Sequence, residues 1–237
     1  MAVAFDAKMT GGDLDSGRCY GPVGTTSFST TGMTVGVGAT CLVVTIVFGN
    51  GSGVLPASIA ATWDGVAMTL QANVTSSDAP ANNRAAAAIL VLVNPASGNK
   101  TLAGSWTGTL DAYVSCVSFT GTDTTTGVNA TNNTTATQAT AIVVPTTSDG
   151  ATVACFGVDG SDPTVDQTEM FSTAPNDPGG GASYALGGAT SNTHNFTGAG
   201  GDRQALAGVN VIAAGGGGAT PKNVFGKMLS GPFGGAV

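Results

Sequence analysis

The residue best suited to acid–base chemistry in this chain is His194, the only histidine, in the stretch SNTHNFTG. A hydrolase or transferase of ordinary type needs such a base beside a nucleophile. Serine and threonine are abundant, but no G-x-S-x-G elbow is present, because GSWTG at 104–108 places Ser105 one position early. We therefore expect His194 to be an ordinary strand or loop histidine and the protein not to be an enzyme.

Carboxylates form the second group that could do chemistry. They could bind calcium through oxygen ligands, or supply the two carboxyl groups of a glycosidase. Their spacing matches neither an EF-hand nor a calcium-binding nonapeptide repeat. We expect solvated loop acids, with a hydrolase on a sandwich scaffold as a remaining alternative. The residues are Asp159, Asp162, Asp166 and Glu169 in DGSDPTVDQTE, and Asp13 and Asp15 in GGDLDSG.

The glycine clusters and the four cysteines indicate no cofactor or metal. GNGSG, PGGGA, GAGGD and AGGGGA lack the Lys-Ser/Thr of a phosphate-binding loop. The cysteines form no C-x-x-C pair, and three lie in apolar strand-like runs. Buried reduced thiols are the favoured interpretation, with a disulfide pair left open. The cysteines are Cys19, Cys41, Cys116 and Cys155.

Five aromatic residues could line a sugar-binding face, on which rings stack against carbohydrate. Aromatic residues make up 6% of the chain, which is low for a lectin. The two tryptophans suit the core equally well. The five are Trp63, Trp106, Tyr20, Tyr113 and Tyr184.

The composition points to surface display rather than to nucleic acid or membrane. Only 9% of residues are charged and the net charge is −7, whereas nucleic-acid binders need a cationic face. The longest apolar run, AAAAILVLV at 85–93, has the length of a strand and falls well short of the ~20 residues of a membrane span. The first residues lack the pattern of a secretory signal, so we expect synthesis in a host cytoplasm followed by assembly into a particle.

The elements that position these residues are predicted to be strands, because almost every segment alternates at period two or forms a short apolar run bounded by Gly, Asn, Asp or Pro. Asp64-Gly65 predicts a tight type I′ hairpin. A long exposed loop or a meandering edge is expected at Thr122–Thr137, and a loop at Asn176–Gly181. The strands are predicted at Val3–Lys8, Thr26–Thr30, Cys41–Phe48, Ser58–Trp63, Val66–Gln71, Ala86–Val93, Thr101–Trp106, Ala112–Phe119, Ala139–Val144, Thr152–Val158, Val165–Phe171, Ala182–Leu186 and Gln204–Ala213.

More than ten short strands without crossover helices predict an all-β fold, an antiparallel two-sheet sandwich of jelly-roll-like form. The sandwich body is expected at residues 1–214, with a pair of smaller sandwiches as the alternative. Residues 215–218 have the composition of a glycine linker, and residues 219–237 form a C-terminal tail. All fourteen acidic residues precede the tail, which carries two lysines and no acid.

Three stretches occur in order along the chain: ATWDGVAMTLQANV, AAAAILVLVNPASGNKTLAGSWTG and YVSCVSFTGTDTTTGV. Together they resemble a β-sandwich module of bacteriophage structural proteins and bacterial surface proteins. The resemblance covers about residues 40–130 and implies a scaffold, since it rests on turn and core positions and transfers no active site. It rests on Trp63, Asp64, Gly65, Met68 and Thr69, then Asn94, Pro95 and Gly98, then Val117, Ser118, Phe119 and Gly121.

The function predicted from these features is that of a phage virion structural protein, with a capsid decoration or cement protein as the favoured form. The tail is expected to dock its apolar side chains on virion proteins, either the major capsid protein or neighbouring copies, with its lysines contacting an acidic surface. The alternative is a carbohydrate- or receptor-binding module of a phage tail or fibre. A homo-oligomer is expected, and neither nucleic acid nor membrane. The partner-binding residues are predicted to be Lys222, Phe225, Lys227, Met228, Leu229 and Phe233.

Overall fold

The computed structural model describes residues 1–50, 56–76, 84–137, 141–158, 163–172, 179–188, 190–197 and 203–215. Besides one turn of 3₁₀ helix at Asp15–Gly17, the regular elements in these ranges are strands. They are β1 (Ala4–Lys8), β2 (Thr25–Thr30), β3 (Thr34–Val35), β4 (Cys41–Asn50), β5 (Ala57–Trp63), β6 (Val66–Ala67), β7 (Thr69–Thr75), β8 (Arg84–Val93), β9 (Gly98–Asn99), β10 (Leu102–Thr120), β11 (Val128–Thr137), β12 (Ala141–Pro145), β13 (Ala151–Val158), β14 (Thr164–Val165), β15 (Thr168–Ser172), β16 (Gly179–Leu186), β17 (Ser191–Thr197) and β18 (Arg203–Val211).

Strand pairing is antiparallel throughout the sheets described below, so the prediction of an all-β antiparallel sandwich is confirmed. The predicted hairpin joins β5 to β6, with Trp63 paired to Val66. Asp64 and Gly65 both have positive φ, at 51° and 79°, as a type I′ turn requires. Within the described ranges, no helix has the length and apolarity that a membrane span needs.

Strand β10 links two layers of one eight-stranded sheet, called here the folded sheet (β1, β2, β4 to β8 and β10). The first half of its 19 residues pairs with β5 and β2, and the second half pairs with β4 and β1. The register breaks between Ser105 and Leu110, and Gly108 in this interval has a φ of 98°. A glycine tolerates that conformation, so the strand changes direction here and enters the second layer.

The two layers of the folded sheet enclose one hydrophobic cluster. Trp63 is fully buried, and its Nε1–H donates to Ala96 O at 2.8 Å. Trp106 packs edge-on against Phe48, with ring centroids 5.0 Å apart. Buried indoles with a hydrogen-bonded N–H are core anchors, so both tryptophans stabilise the fold from within.

The second sheet, called here the middle sheet, has the strand order β11–β18–β13–β16–β15. It packs on the folded sheet through a second cluster. Val43 and Val47 of β4 point into this cluster, whereas Leu42, Val44 and Ile46 point into the first one. Because both faces of β4 and β8 are covered, these strands are continuous apolar runs rather than alternating ones.

The third sheet, called here the outer sheet, has the order β12–β17–β14 and covers the far face of the middle sheet. A short pair, β3 with β9, completes the strands. The protein is thus a stack of β layers, with the middle sheet covered on both faces and the folded sheet supplying two layers. The two layers predicted from the sequence are therefore part of a deeper stack.

The strand predictions that differ from the structure have physical causes. The two strands predicted at Thr101–Trp106 and Ala112–Phe119 belong to one strand, β10, which bends at Gly108 without ending there. Residues 128–137, predicted as a loop or meandering edge, form β11 at the edge of the middle sheet. Their threonines and asparagines lack the apolar alternation that identifies a strand.

Candidate functional site

The candidate base, His194, lies on β17 between the outer and middle sheets and is fully buried. Its Nδ1 lies 2.7 Å from Ser183 Oγ, and its Nε2 lies 2.9 Å from Thr152 Oγ1. A serine–histidine pair is therefore present, but the serine hydroxyl and the imidazole are both enclosed between two sheets. Since an accessible nucleophile is required for hydrolysis, this pair has the geometry of a structural contact between two sheets.

Burial sets the protonation state of this histidine. Desolvation lowers the pKa of His194 from its ordinary value of 6.5 to about 4, and the charge of Asp166 opposes the shift. The imidazole is therefore neutral at pH 7. Sequence reasoning missed both hydroxyl partners, because Ser191–Thr197 was not predicted as a strand and no local pattern links Ser183 or Thr152 to His194.

Two of the candidate carboxylates lie close together, and one arginine side chain forms an ion pair with each of them. Arg18 forms ion pairs with Asp15, at 3.1 Å, and with Glu169. Asp15 also accepts a hydrogen bond from Ser172 N at 3.1 Å. These carboxylates therefore connect the loop before β2 to β15, and a glycosidase pair would instead need carboxyl groups free to meet substrate.

The other candidate acids have local partners. Asp13 accepts from Gly21 N at 2.8 Å, and Asp166 accepts from Asn195 N at 2.8 Å. Asp159 and Asp162 lie outside the described residues. Over the ranges that the structure describes, no three histidine, cysteine or acidic side chains come together as a metal site.

All four cysteines are free and buried, which confirms the interpretation as reduced core thiols. Burial raises the pKa of Cys19 and of Cys41 to about 12, so neither is a thiolate at neutral pH. Burial also raises the pKa of Cys116 and of Cys155.

The aromatic residues considered for sugar stacking lie in the interior. Trp63, Trp106, Tyr113 and Tyr184 are all buried, and Tyr20 is partly buried and packed against the cluster within the folded sheet. A stacking platform needs an exposed ring face. Of the two alternatives considered for these rings, the structure favours the core.

Two surface depressions are lined by small or neutral side chains. One, of about 240 Å³, lies on the outside of the folded sheet between β5 and β10. The other, of about 290 Å³, lies between β7, β8 and the loop at Thr125–Thr126. The lining residues that the structure describes include no titratable group, so neither depression offers acid–base chemistry.

The start of the chain and the residue preceding the predicted linker meet at one end of the stack, called here the terminal end (Met1, Gly121 and Ala214). Met1 N donates to Ala214 O at 3.0 Å, and Ala214 N donates to Gly121 O at 2.8 Å. Gly121 has a φ of 69°, and a Cβ there would lie 2.4 Å from Ala2 O. Only glycine fits at position 121, where the chain passes close to Ala2. The bond between Gly121 and Ala214 therefore holds in place the point from which residues 216–237 continue.

The terminal end also carries a stable negative charge. Asp123 accepts hydrogen bonds from the backbone N–H groups of Thr126 and Thr125 at 2.9 and 2.8 Å. The bond from Thr126 N–H is the main reason why the pKa of Asp123 lies below its ordinary value. The bond from Thr125 N–H and a bond from the Thr126 hydroxyl lower the pKa further. The carboxylate therefore stays ionised to a lower pH than an ordinary aspartate does.

The six predicted attachment residues, Lys222, Phe225, Lys227, Met228, Leu229 and Phe233, lie outside the described residues, as do 216–218 of the predicted linker. What the structure describes is the base of this segment, Ala214 and Gly215. The sequence did not predict that Met1 lies beside it.

The positions that carry the phage-module resemblance have structural roles. Asp64, Asn94, Gly98 and Gly121 adopt positive φ, while Trp63, Val117 and Phe119 are buried in the cores. They act as turn and core residues, the kind of position on which a scaffold depends.

The class of protein that these features define is an antiparallel all-β sandwich with stacked sheets. No protein-family model matches the chain, and no significant match was found to a curated protein or to a solved structure.

Proposed function

We propose that the protein is a virion structural protein that decorates or cements a phage capsid, attached partly through residues 219–237. The observation that carries this proposal is the anchored base of that segment. Ala214 is held by Met1 on one side and by Gly121 on the other, so the glycine-rich sequence that follows begins at a fixed point on the stacked sheets.

The sequence beyond this point is suited to docking. Residues 215–218 are four glycines, and residues 219–237 contain two phenylalanines, one methionine, one leucine and two lysines with no acid. A segment of this kind can gain order by burying its apolar side chains on a partner, while the lysines favour an acidic surface. A short flexible tether raises the local concentration of the segment, which gives avidity on a shell of many identical sites.

The body supports a role in assembly rather than in chemistry. Its only histidine and both tryptophans are buried, and the paired acids Asp15 and Glu169 are bound to Arg18. Its central strands β4, β8, β13, β16 and β18 are covered on both faces, as suits a stable unit displayed on a surface. The carbohydrate-binding alternative loses the exposed aromatic platform on which it depended.

The proposal is tested by changing the docking side chains while the body is kept intact. Phe225→Ser with Phe233→Ser removes the apolar anchors, and Lys222→Gln with Lys227→Gln removes the charge. Each double variant is mixed with virus particles assembled without this protein, and the bound fraction is measured by sedimentation. The matched control is Val143→Ser, at an exposed apolar residue of the outer sheet.

We expect the phenylalanine variant to lose at least 10-fold in affinity, because two buried aromatic anchors contribute roughly 2 kcal/mol or more. The lysine variant should bind more weakly at low salt and lose that difference at high salt. The control should bind as the unchanged protein does. Equal binding of all four proteins would contradict attachment through this segment.

A further inference from the structure

The outer sheet is joined to the middle sheet by the smallest of the three apolar clusters that the described residues form. Phe156 and Phe196 stack at its centre, with ring centroids 5.2 Å apart. Since burial of apolar area is the main source of adhesion between sheets, the outer sheet is the least firmly attached layer. The cluster consists of Ile142, Val144, Ala154, Phe156, Val158, Phe196 and Leu206, with Val165 partly buried beside it.

The rest of this interface is polar and is centred on His194. Each ring nitrogen faces one hydroxyl of the middle sheet, Ser183 Oγ and Thr152 Oγ1. Asn192 of the outer sheet extends the contact, because its Nδ2 donates to Thr152 Oγ1 at 3.0 Å. A neutral imidazole has one donor and one acceptor nitrogen, which two hydroxyl groups can satisfy in either tautomer.

The charged and titratable groups around this histidine are few. Asp166, in the turn after β14, is the one described carboxylate that acts on it, and its oxygens are bonded to Asn195. Glu169 pairs in register with Ser183, but its carboxylate binds Arg18. Cys155 of β13 and Tyr184 of β16 face the opposite cluster, and the described side chains of β12 and β18 include no ionisable group.

We propose that His194 is an acid-sensitive latch, whose protonation releases the outer sheet from the middle sheet. A protonated ring has two donor nitrogens and a charge that has lost its water. Opening of the interface returns the ring to water, and exposes the apolar faces around Phe156 and Phe196. The folded sheet has no histidine and stays closed.

The direction and size of the pH effect on opening follow from the difference in pKa between the buried and the exposed imidazole of His194. The pKa of the exposed imidazole is 6.5 and that of the buried one is about 4. The open form therefore binds the proton more tightly, and opening becomes more favourable as the pH falls from 6.5 towards 4. The opening equilibrium constant should rise about 60-fold between pH 7 and pH 4.5.

Hydrogen exchange of the full chain, read by mass spectrometry and corrected for the intrinsic pH dependence of exchange, tests the latch. Peptides covering residues 141–145 and 191–197 should lose protection between pH 6.5 and pH 4.5. Peptides covering 41–48 and 86–93 of the folded sheet should keep theirs. Protection that stays unchanged in all four groups of peptides down to pH 4.5 would overturn the proposal. Loss of protection in all four at the same pH would also overturn it.

Two variants separate the latch from general acid unfolding. In His194→Gln the acid-dependent loss at 141–145 and 191–197 should be absent, because glutamine does not titrate. Should this variant fail to fold, Asp166→Asn gives the answer: removing its charge lowers the pKa of the buried His194 further, so opening should still increase from pH 6.5 downwards but should continue to increase to a lower pH and reach a higher limit than in the unchanged protein. An unchanged pH dependence in the folded variant would refute the latch.

Discussion

Gly157 and Gly180 are paired across β13 and β16, on the face of the middle sheet that packs against the folded sheet. A Cβ on Gly157 would lie 2.5 Å from Ala86 O, and one on Gly180 would lie 2.5 Å from Val47 Cγ2. The pair therefore sets how closely the two layers approach. It also explains why glycines 179–181, predicted as part of a loop, continue a strand.

Gly157→Ala is expected to lower the free energy of unfolding by about 2 kcal/mol, within the usual range for overpacking of a core. The new methyl group would meet a backbone oxygen that cannot rotate away. The control is Gly181→Ala, in the strand opposite, where the nearest atom to a Cβ is Val165 Cγ2 at 3.3 Å. Denaturant unfolding should show a clearly smaller loss there, and equal losses would argue against the close-approach explanation.

Gln204→Met is expected to raise the free energy of unfolding by about 1 kcal/mol. The Gln204 side chain is fully buried, and both its Nε2 and its Oε1 lack a hydrogen-bond partner among the described residues. Replacing such a group by an apolar one of similar shape removes a desolvation cost. Thermal and denaturant unfolding measure the change.

The matched control for that prediction is Asn210→Leu on the same strand. Asn210 Oδ1 accepts a hydrogen bond from Thr146 Oγ1 at 3.1 Å, so this substitution removes that bond from a buried hydroxyl, whose other acceptor is Thr147 O at 3.3 Å, and should lower stability. A loss of stability in Gln204→Met of similar size would mean that the Gln204 amide is bonded after all.

A folded domain fused ahead of Met1 is expected to reduce binding to particles, since Met1 lies beside the base of residues 216–237. The same domain inserted within residues 77–83 serves as the control. That segment joins β7 to β8 at the end where Thr75 pairs with Ala86, opposite the end where Val93 pairs with Cys41. Sedimentation should show weaker binding for the first fusion only, and equal binding of both would count against the terminal end as the attached end.

The fold class was predictable because strand signals depend on local pattern. Asp64-Gly65 identified a hairpin, and residues 112–119 were predicted as a strand whose alternate side chains do enter two different clusters, Tyr113, Val117 and Phe119 in one and Val114 and Cys116 in the other. The stacking of layers was not predictable from pattern alone. A run such as AAAAILVLV shows that both faces are covered, but it does not show which sheet covers each face.

The candidate site was predictable only in part. The sequence showed that the chain has no G-x-S-x-G elbow to accompany His194. It could not show the contacts of His194 with Thr152 and Ser183, because these join different strands. The proximity of Met1 to Ala214 is likewise a product of tertiary structure. The docking function of residues 219–237 remains a prediction from composition and from the position of their base.

The most direct test of the account is the number of copies bound per particle by the full chain and by a chain that lacks residues 219–237. Both proteins should show the same circular dichroism and the same unfolding transition, because the stacked sheets end at Val211. The full chain should saturate the particles, and the shortened chain should stay in solution at the same concentration. Saturation by the shortened chain, with the same number of copies and the same affinity, would contradict the account.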